Sequence, residues 1–280
     1  MADSRYIGLR NVCQKVGRMF YTVVLVSVGV LIILLLLANH YVPKTRHDPY
    51  FDYDWSEKWS PYDKKARVGA DCKPIYTVQR KMGNTSAWVW VVPKTCEQGL
   101  PHTRAVDVIA MPVSLPQDRI PEILEHEKIH LLQRQMPDSW ARFYRIKWDY
   151  ELYTAPPVGM PNELQTMIRA NPDTASAPWC CWRKRWWPVP IYQSPTNLSL
   201  RNAIVKWWDQ ESMKIDTSPP DAWKTFFGVQ IHQSEHPHEI TAEYLSGPLF
   251  NGAMPSNPSE AMVRLRAAWT EADPMYPTIV

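Results

Sequence analysis

Hydrophobic and polar positions alternate along this chain with several different periods, and each period predicts a different element. From Phe20 to Ala38 the residues FYTVVLVSVGVLIILLLLA form an apolar run without a charge. At about 19 residues the run matches the roughly 30 Å of a bilayer's hydrocarbon core and predicts a retained transmembrane helix. A cleaved signal peptide would have a shorter apolar region, about 7–15 residues, followed by a small-residue cleavage site. Asn39-His40-Tyr41-Val42-Pro43 follows instead. The next stretch, polar but rich in Tyr, Phe and Trp between Tyr50 and Tyr62, reads as a packed stalk or strap rather than free coil. The organisation expected is a cytosolic segment over residues 1–19, the span over 20–38, the strap over 39–67 and a globular domain over 68–280.

Within the domain, Ile75–Val78, Ala87–Val92 and Val106–Met111 are β-branched or aromatic runs bounded by Gly or Pro and predict strands. The Trp88–Val92 run is apolar on both faces and should be covered on both. Helical periodicity marks residues 120–136, Ser139–Tyr153, a short piece near Glu163–Arg169, Leu200–Met213, a segment from Pro237 to Gly247-Pro248, and Ser259–Trp269. In Ser139–Tyr153 the aromatic stripe Trp140, Phe143, Tyr144 and Trp148 reads as core. In Leu200–Met213 the buried face would be Ala203, Ile204, Trp207 and Trp208. The run PWCCWRKRWWPVP reads as a surface loop packed by cation–π contacts, in preference to a membrane-interface patch. Together these elements predict an α+β domain, a small sheet on a helix plus a mainly helical second part.

Charge changes the picture only for topology. Arg5, Arg10, Lys15 and Arg18 precede the apolar run, while Lys44 and Arg46 follow it with Asp48, Asp52 and Asp54 close behind. The positive-inside bias places the N-terminus in the cytosol and the domain on the luminal or extracytoplasmic side of the bilayer. A net charge of +3 without a clustered basic stripe predicts no nucleic-acid partner. On the exterior side, Asn84-Thr85-Ser86 and Asn197-Leu198-Ser199 are glycosylation sequons. A Cys72–Cys96 bridge would close a loop of about two dozen residues, worth about 3 kcal/mol. Adjacent Cys180 and Cys181 could serve other bridges, and no C-x-x-C spacing suggests a cysteine zinc site. Cys13, next to the span, could be palmitoylated.

The chemistry concentrates in His126-Glu127-Lys128-Ile129-His130, an H-E-x-x-H motif in the helical stretch PEILEHEKIHLLQRQMP. Pro121 suits a first helical turn, Asp118 offers a capping carboxylate and Pro137 stops the run. Ile120, Ile123, Leu124 and Leu131 line one flank; Ile129, Leu132 and Met136 line the other. Histidines four apart on a helix are separated by about 40° of rotation and roughly 6 Å of rise, so both rings can reach one zinc ion. Glu127, one step round, can take a proton from water at the metal. The bland alternative is a helix with two solvated or satisfied histidines.

The motif resembles that of the zincin metallopeptidases, and His236-Pro237-His238-Glu239-Ile240-Thr241-Ala242-Glu243 resembles the glutamate-ligand helix of their gluzincin branch. The resemblance implies a zincin-like domain, a Zn2+ cofactor, a peptide or protein substrate, Glu239 as third ligand beside His126 and His130, and Glu243 as the acid that orients a ligating histidine. In such folds the edge strand of the sheet often pairs with an extended substrate. Glu151 competes for the third position because its distance from the motif is the commoner one. Glu239 is preferred for its helix start, its small neighbour Ala242 and Glu243 at i+4. His238, His232, Tyr192 and Tyr244 are the candidate oxyanion partners. The expected function is a membrane-anchored zinc metallopeptidase with Glu127 as general base. The alternative is a non-catalytic assembly protein of a membrane or membrane-bearing particle, its zinc closed by His236 or His238. An intramembrane protease is excluded, because the motif helix is too charged to cross a bilayer.

Overall fold

The computed structural model describes residues 60–82, 85–104, 107–228, 233–249 and 254–269, all within one compact unit, Asp48–Val280. The apolar run Phe20–Ala38, most of the strap and His232 lie outside them. Among the described residues no helix is long and apolar enough to cross a membrane. The described end of the strap forms helix α1 (Pro61–Ala66), whose first turn is capped by Ser60 Oγ accepting the Asp63 N–H at 3.1 Å. Arg67, just beyond it, is buried. Its guanidinium donates to Glu97 through Nε (3.0 Å) and Nη2 (2.9 Å), to Asp63 Oδ1 (2.5 Å) and to the Ala170 carbonyl (2.7 Å). Removing Arg67 would strand two buried carboxylates, at a cost of about 3–5 kcal/mol.

Four strands form the first sheet: β1 (Tyr76–Met82), β2 (Thr85–Val92), β3 (His102–Arg104) and β4 (Val108–Pro112). Their order is β1-β2-β4-β3, with β2 parallel to β4 and the other pairs antiparallel. Alternation sends Ala87, Val89, Ile109 and Met111 to one face. Val92 and Ala110 go to the other, beside Trp90 and both cysteines of the Cys72–Cys96 disulfide. Covered on both faces from Ala87 onward, β2 is apolar over Ala87–Val92.

Helix α2 (Ile120–Gln135) lies between two cores, which is why it shows no clean polar stripe. Ile120, Ile123, Leu124 and Leu131 pack under the first sheet. Ile129, Leu132 and Met136 face the larger aromatic core. Pro121 occupies the first turn, but the expected Asp118 cap is absent: Asp118 sits in a 3-10 turn, Gln117–Arg119, and Arg119 is the N-cap without a side-chain bond. Met136 ends the helix, and Pro137 opens α3 (Pro137–Lys147).

The helix expected over Ser139–Tyr153 stops early. Asp149 takes a left-handed φ of 58°, the chain reverses, and residues 150–153 become β5 (Tyr150–Tyr153). This strand edges a second, antiparallel sheet with β6 (Trp179–Trp182), β7 (Trp186–Ile191), β8 (Ile204–Asp209) and β9 (Lys214–Asp216), in the order β5-β6-β7-β8-β9. This five-stranded sheet corrects the expectation of a mainly helical second part, and two more local expectations fall with it. PWCCWRKRWWPVP is a buried hairpin rather than a surface loop. Its turn runs through Arg183 and Lys184 at φ 51° and 53°, residues that carry none of the usual Asn-Gly signal. The expected cation–π contacts exist, at the turn alone: Arg183 over Trp182 (4.4 Å) and Arg185 over Trp186 (4.7 Å).

The two prolines of β7 are tolerated because they face away from β8. Pro190's carbonyl instead accepts the Arg169 N–H at 2.8 Å from the strip that docks on that edge. The helix expected over Leu200–Met213 is likewise a short 3-10 turn followed by β8. A helix would put Trp207 and Trp208 on one face. The strand sends Trp207 to the aromatic core and Trp208 to a smaller cluster behind the sheet, and both are buried.

Along β6 the same alternation divides Trp179 and Cys181 from Cys180 and Trp182. Cys180 and Cys181 are buried thiols with no bridge. Helix α4 (Asn162–Met167) covers one face of this sheet. Residues of α5 (Asp221–Phe227), α6 (Pro237–Ser246) and α7 (Glu260–Ala268) join those of α2 and α3 on the other. The architecture is α+β, with α2 as the element shared by its two halves.

Candidate metal centre

Helix α2 delivers two imidazoles to one point. His126 Nε2 and His130 Nε2 are 3.1 Å apart. From the facing helix, Glu239 Oε2 lies 3.4 Å from each. Four-coordinate zinc with ligand bonds of about 2.0–2.1 Å has ligand atoms roughly 3.3 Å apart. The triangle of donor atoms therefore fits such an ion.

The histidine tautomer agrees with this fit. Gln133 Nε2 donates to the His238 carbonyl (3.0 Å) and to Tyr144 Oη (3.2 Å). A carbonyl only accepts, so this atom is the amide nitrogen and Oε1 is free to accept from His130 Nδ1 at 2.8 Å. The neutral ring then carries its proton on Nδ1 and turns the Nε2 lone pair toward Glu239.

Helix α6 is built to present Glu239. Pro237 occupies its first turn, and His236 is the N-cap, its Nδ1 accepting the His238 N–H at 3.2 Å. His236 Nε2 donates to the Ala177 carbonyl (3.1 Å), and His238 Nδ1 faces the Asp173 carbonyl (3.4 Å). Both rings are buried and use backbone partners, which leaves the carboxylate of Glu239 as the group aimed at α2. Its Oε1 accepts from Asn171 Nδ2 at 2.7 Å.

Electrostatics sharpens the contrast. Burial works against charge on His130, but the carboxylates of Glu239 and Asp173 outweigh it and push the ring up to about 10. Burial pushes Glu239 up, yet the imidazoles of His130 and His126 hold it well below the usual carboxylate range. Burial lowers His236 to about 4 and His238 well below the ordinary histidine value. Glu127, one step from the ligand face, is raised well above the carboxylate range by burial and then by Asp173. Among the described residues its buried Oε2 has no hydrogen-bond partner. Such an atom is costly unless something polar visits it.

A cavity of about 630 Å³ opens on this cluster, lined by His126, Glu127, Asp173, Arg169, Glu239 and Glu243 among others. His126 is the exposed corner, its side chain 18% accessible against 2% or less for His130 and Glu239. Access is therefore from the His126 side.

Glu151 lies on β5, where Oε2 accepts from Tyr153 Oη (2.5 Å) and Oε1 is 3.8 Å from Lys184 Nζ. It belongs to neither His–carboxylate cluster that could hold an ion. Glu243 lines the cavity and accepts the Gln233 N–H at 3.2 Å; at His130 the orienting bond comes from Gln133. Tyr192 donates to Asp63 (2.5 Å) and Tyr244 to the Phe227 carbonyl. Thus three of the four expected oxyanion partners are engaged away from the cavity. The fourth, His232, lies outside the described residues.

Three contributors carried no strong sequence signal. Gln133 sits at i+3 from His130, a spacing that puts both on one face. Asn171 and Asp173 belong to an Asn-Pro-Asp turn whose meaning depends on what lies across from it. Asp173 Oδ1 accepts the Thr103 N–H at 2.7 Å and also the Thr103 hydroxyl. Comparison with protein-family models, with curated proteins and with solved structures finds no match for this chain.

Proposed function

We propose that the chain is a zinc-dependent metallopeptidase of zincin-like build, held at a membrane by Phe20–Ala38 with its domain on the extracytoplasmic side. The observation that carries this reading is the triangle of His126 Nε2, His130 Nε2 and Glu239 Oε2, with edges of 3.1, 3.4 and 3.4 Å, beside buried Glu127, whose Oε2 has no hydrogen-bond partner among the described residues. A zinc ion bound there would polarise a carbonyl and bring the pKa of water toward neutrality. Glu127 takes the proton released by the attacking water and returns it to the departing amine. Gln133 keeps His130 in the tautomer that leaves Nε2 free.

A purely structural zinc would require a fourth protein ligand. His236 spends both ring nitrogens on backbone groups, and neither His236 nor His238 joins the cluster of donor atoms formed by His126, His130 and Glu239, which favours an open position and hence catalysis. Substrate pairing along β3 is disfavoured. Its outer edge is taken at Thr103, whose N–H binds Asp173 (2.7 Å) and whose carbonyl accepts from Arg134 Nη2 (3.2 Å). A peptide would instead be held in the cavity by side chains. The Cys72–Cys96 bridge supports an oxidising compartment and so the extracytoplasmic orientation.

The test is a pair of measurements on purified protein. Glu127→Gln should lower hydrolysis of a peptide library by about 10²–10⁴-fold while zinc content stays at one per chain. Stoichiometric zinc in a wild-type protein that cleaves nothing would transfer the assignment to the assembly role.

A further inference from the structure

The third ligand has two oxygens, and only one faces the histidines. Glu239 Oε2 stands 3.4 Å from both Nε2 atoms, while Oε1 is engaged by Asn171 Nδ2 at 2.7 Å. The orientation of the Asn171 amide is set by its other end. Its Oδ1 accepts the Asp173 N–H at 3.0 Å, so the nitrogen must face Glu239.

The backbone beneath is clamped from both sides. Ala170 N–H donates to Asp63 Oδ2 (2.8 Å), the Ala170 carbonyl accepts from Arg67 Nη2 (2.7 Å), and Arg169 N–H donates to Pro190 (2.8 Å). Asn171 itself is 9% exposed. A buried amide held at this many points has little freedom to follow a moving carboxylate; the carboxylate must conform to it.

We propose that Asn171 is a positioning residue that reserves Oε2 of Glu239 for the metal by occupying Oε1, so that this carboxylate ligates through a single atom and a coordination position stays open. The proposal rests on the metal-site reading above. A carboxylate without such a partner can bring both oxygens to one ion and fill the position that substrate or water requires.

Two substitutions separate this role from simple support of the turn. Asn171→Ala removes both amide bonds. Asn171→Ser keeps a side-chain acceptor for the Asp173 N–H but is too short to reach Glu239. Zinc affinity is measured by competition with a chromogenic chelator, coordination by the visible spectrum of the Co2+-loaded protein, and folding by the melting temperature of the metal-free form. Both variants are expected to bind zinc about 10–100-fold more weakly. Their Co2+ bands should lose intensity, as they do when coordination number rises, with the melting temperature of Asn171→Ser close to wild type. An Asn171→Ser protein matching wild type in affinity and spectrum overturns the proposal, because then only the turn matters. Weaker zinc with an unchanged Co2+ spectrum overturns it too, since the freed oxygen has not joined the metal. A wild-type protein that takes up neither zinc nor cobalt stoichiometrically brings down the metal-site reading itself, and this proposal with it.

Discussion

Helices α2 and α6 each carry two histidines and a glutamate within five positions, and they use them in opposite ways. On α2 the imidazoles point at each other across 3.1 Å and the glutamate between them keeps an oxygen without a hydrogen-bond partner among the described residues. On α6 the histidines are spent on the backbone, one as N-cap and one against Asp173, and the glutamate is the group delivered. The difference lies in position along each helix. His126 and His130 sit mid-helix, where backbone groups are already paired and i,i+4 side chains share a face. His236 sits at a helix start, where backbone N–H groups lack partners and its ring nitrogen supplies one, while the His238 ring turns to the Asp173 carbonyl. Residue type alone therefore does not mark a ligand.

The comparison breaks most decisively on metal content. His126→Ala and His130→Ala should each weaken zinc by more than about 100-fold, beyond the range of residues outside the coordination shell. His236→Asn should keep one zinc per chain after dialysis. Loss of zinc from His236→Asn with retention in His126→Ala would reverse the two helices' roles.

Stability should show the converse at a smaller scale. His236→Ala loses an N-cap and strands the Ala177 carbonyl, and should cost about 1–2 kcal/mol in urea denaturation of the metal-free protein. His126→Ala, at the partly exposed corner, should stay within about 0.5 kcal/mol. Equal costs would remove the distinction between capping and ligating histidines.

The pH dependence separates them by sign. The folded pKa of His236 is depressed to about 4 by burial. The unfolded chain then binds the extra proton between about 6.5 and 4, and the contribution of His236 to stability falls as pH falls through that window. His130 is raised to about 10. Its contribution is complete below about 6.5 and is lost as pH rises toward 10. Difference profiles of wild type against His236→Asn and against His130→Gln, taken metal-free, should slope in opposite directions. Saturating zinc should abolish the His130 slope, because the ion requires the unprotonated ring. Parallel slopes would contradict the assignment. The smallest expected effect is that of Glu151→Ala, which should leave zinc affinity unchanged to within about threefold, or roughly 0.65 kcal/mol. A larger loss would move the third ligand to β5.

Much of the site is legible in the chain because it depends on local geometry. The two flanks of α2, the boundaries of α6 and the i,i+4 relation of His126 and His130 follow from helical spacing and from Pro121, Pro137, Pro237 and Gly247. The second sheet is not legible in the same way. Trp207-Trp208 and Trp182-Arg183-Lys184-Arg185-Trp186 suit a helix face or a loop as well as a strand, and two prolines argue against β7 as an inner strand. Pairing with β8 and docking of the strip at Arg169 settle the question, and both partners are distant in sequence.

By itself, then, the sequence determined the α+β class, the apolar run at 20–38, the Cys72–Cys96 spacing and the helices that bear His126, His130 and Glu239. These rest on periods and cap signals that act within one or two turns. Only the tertiary structure decided which oxygen of Glu239 faces the histidines, that Gln133 bonds His130, and that Asn171 and Asp173 belong to the site. Each of those facts depends on a hydrogen bond or buried charge from another part of the fold. A buried polar group takes whichever partner packing brings within about 3 Å, and no local pattern records who that partner will be.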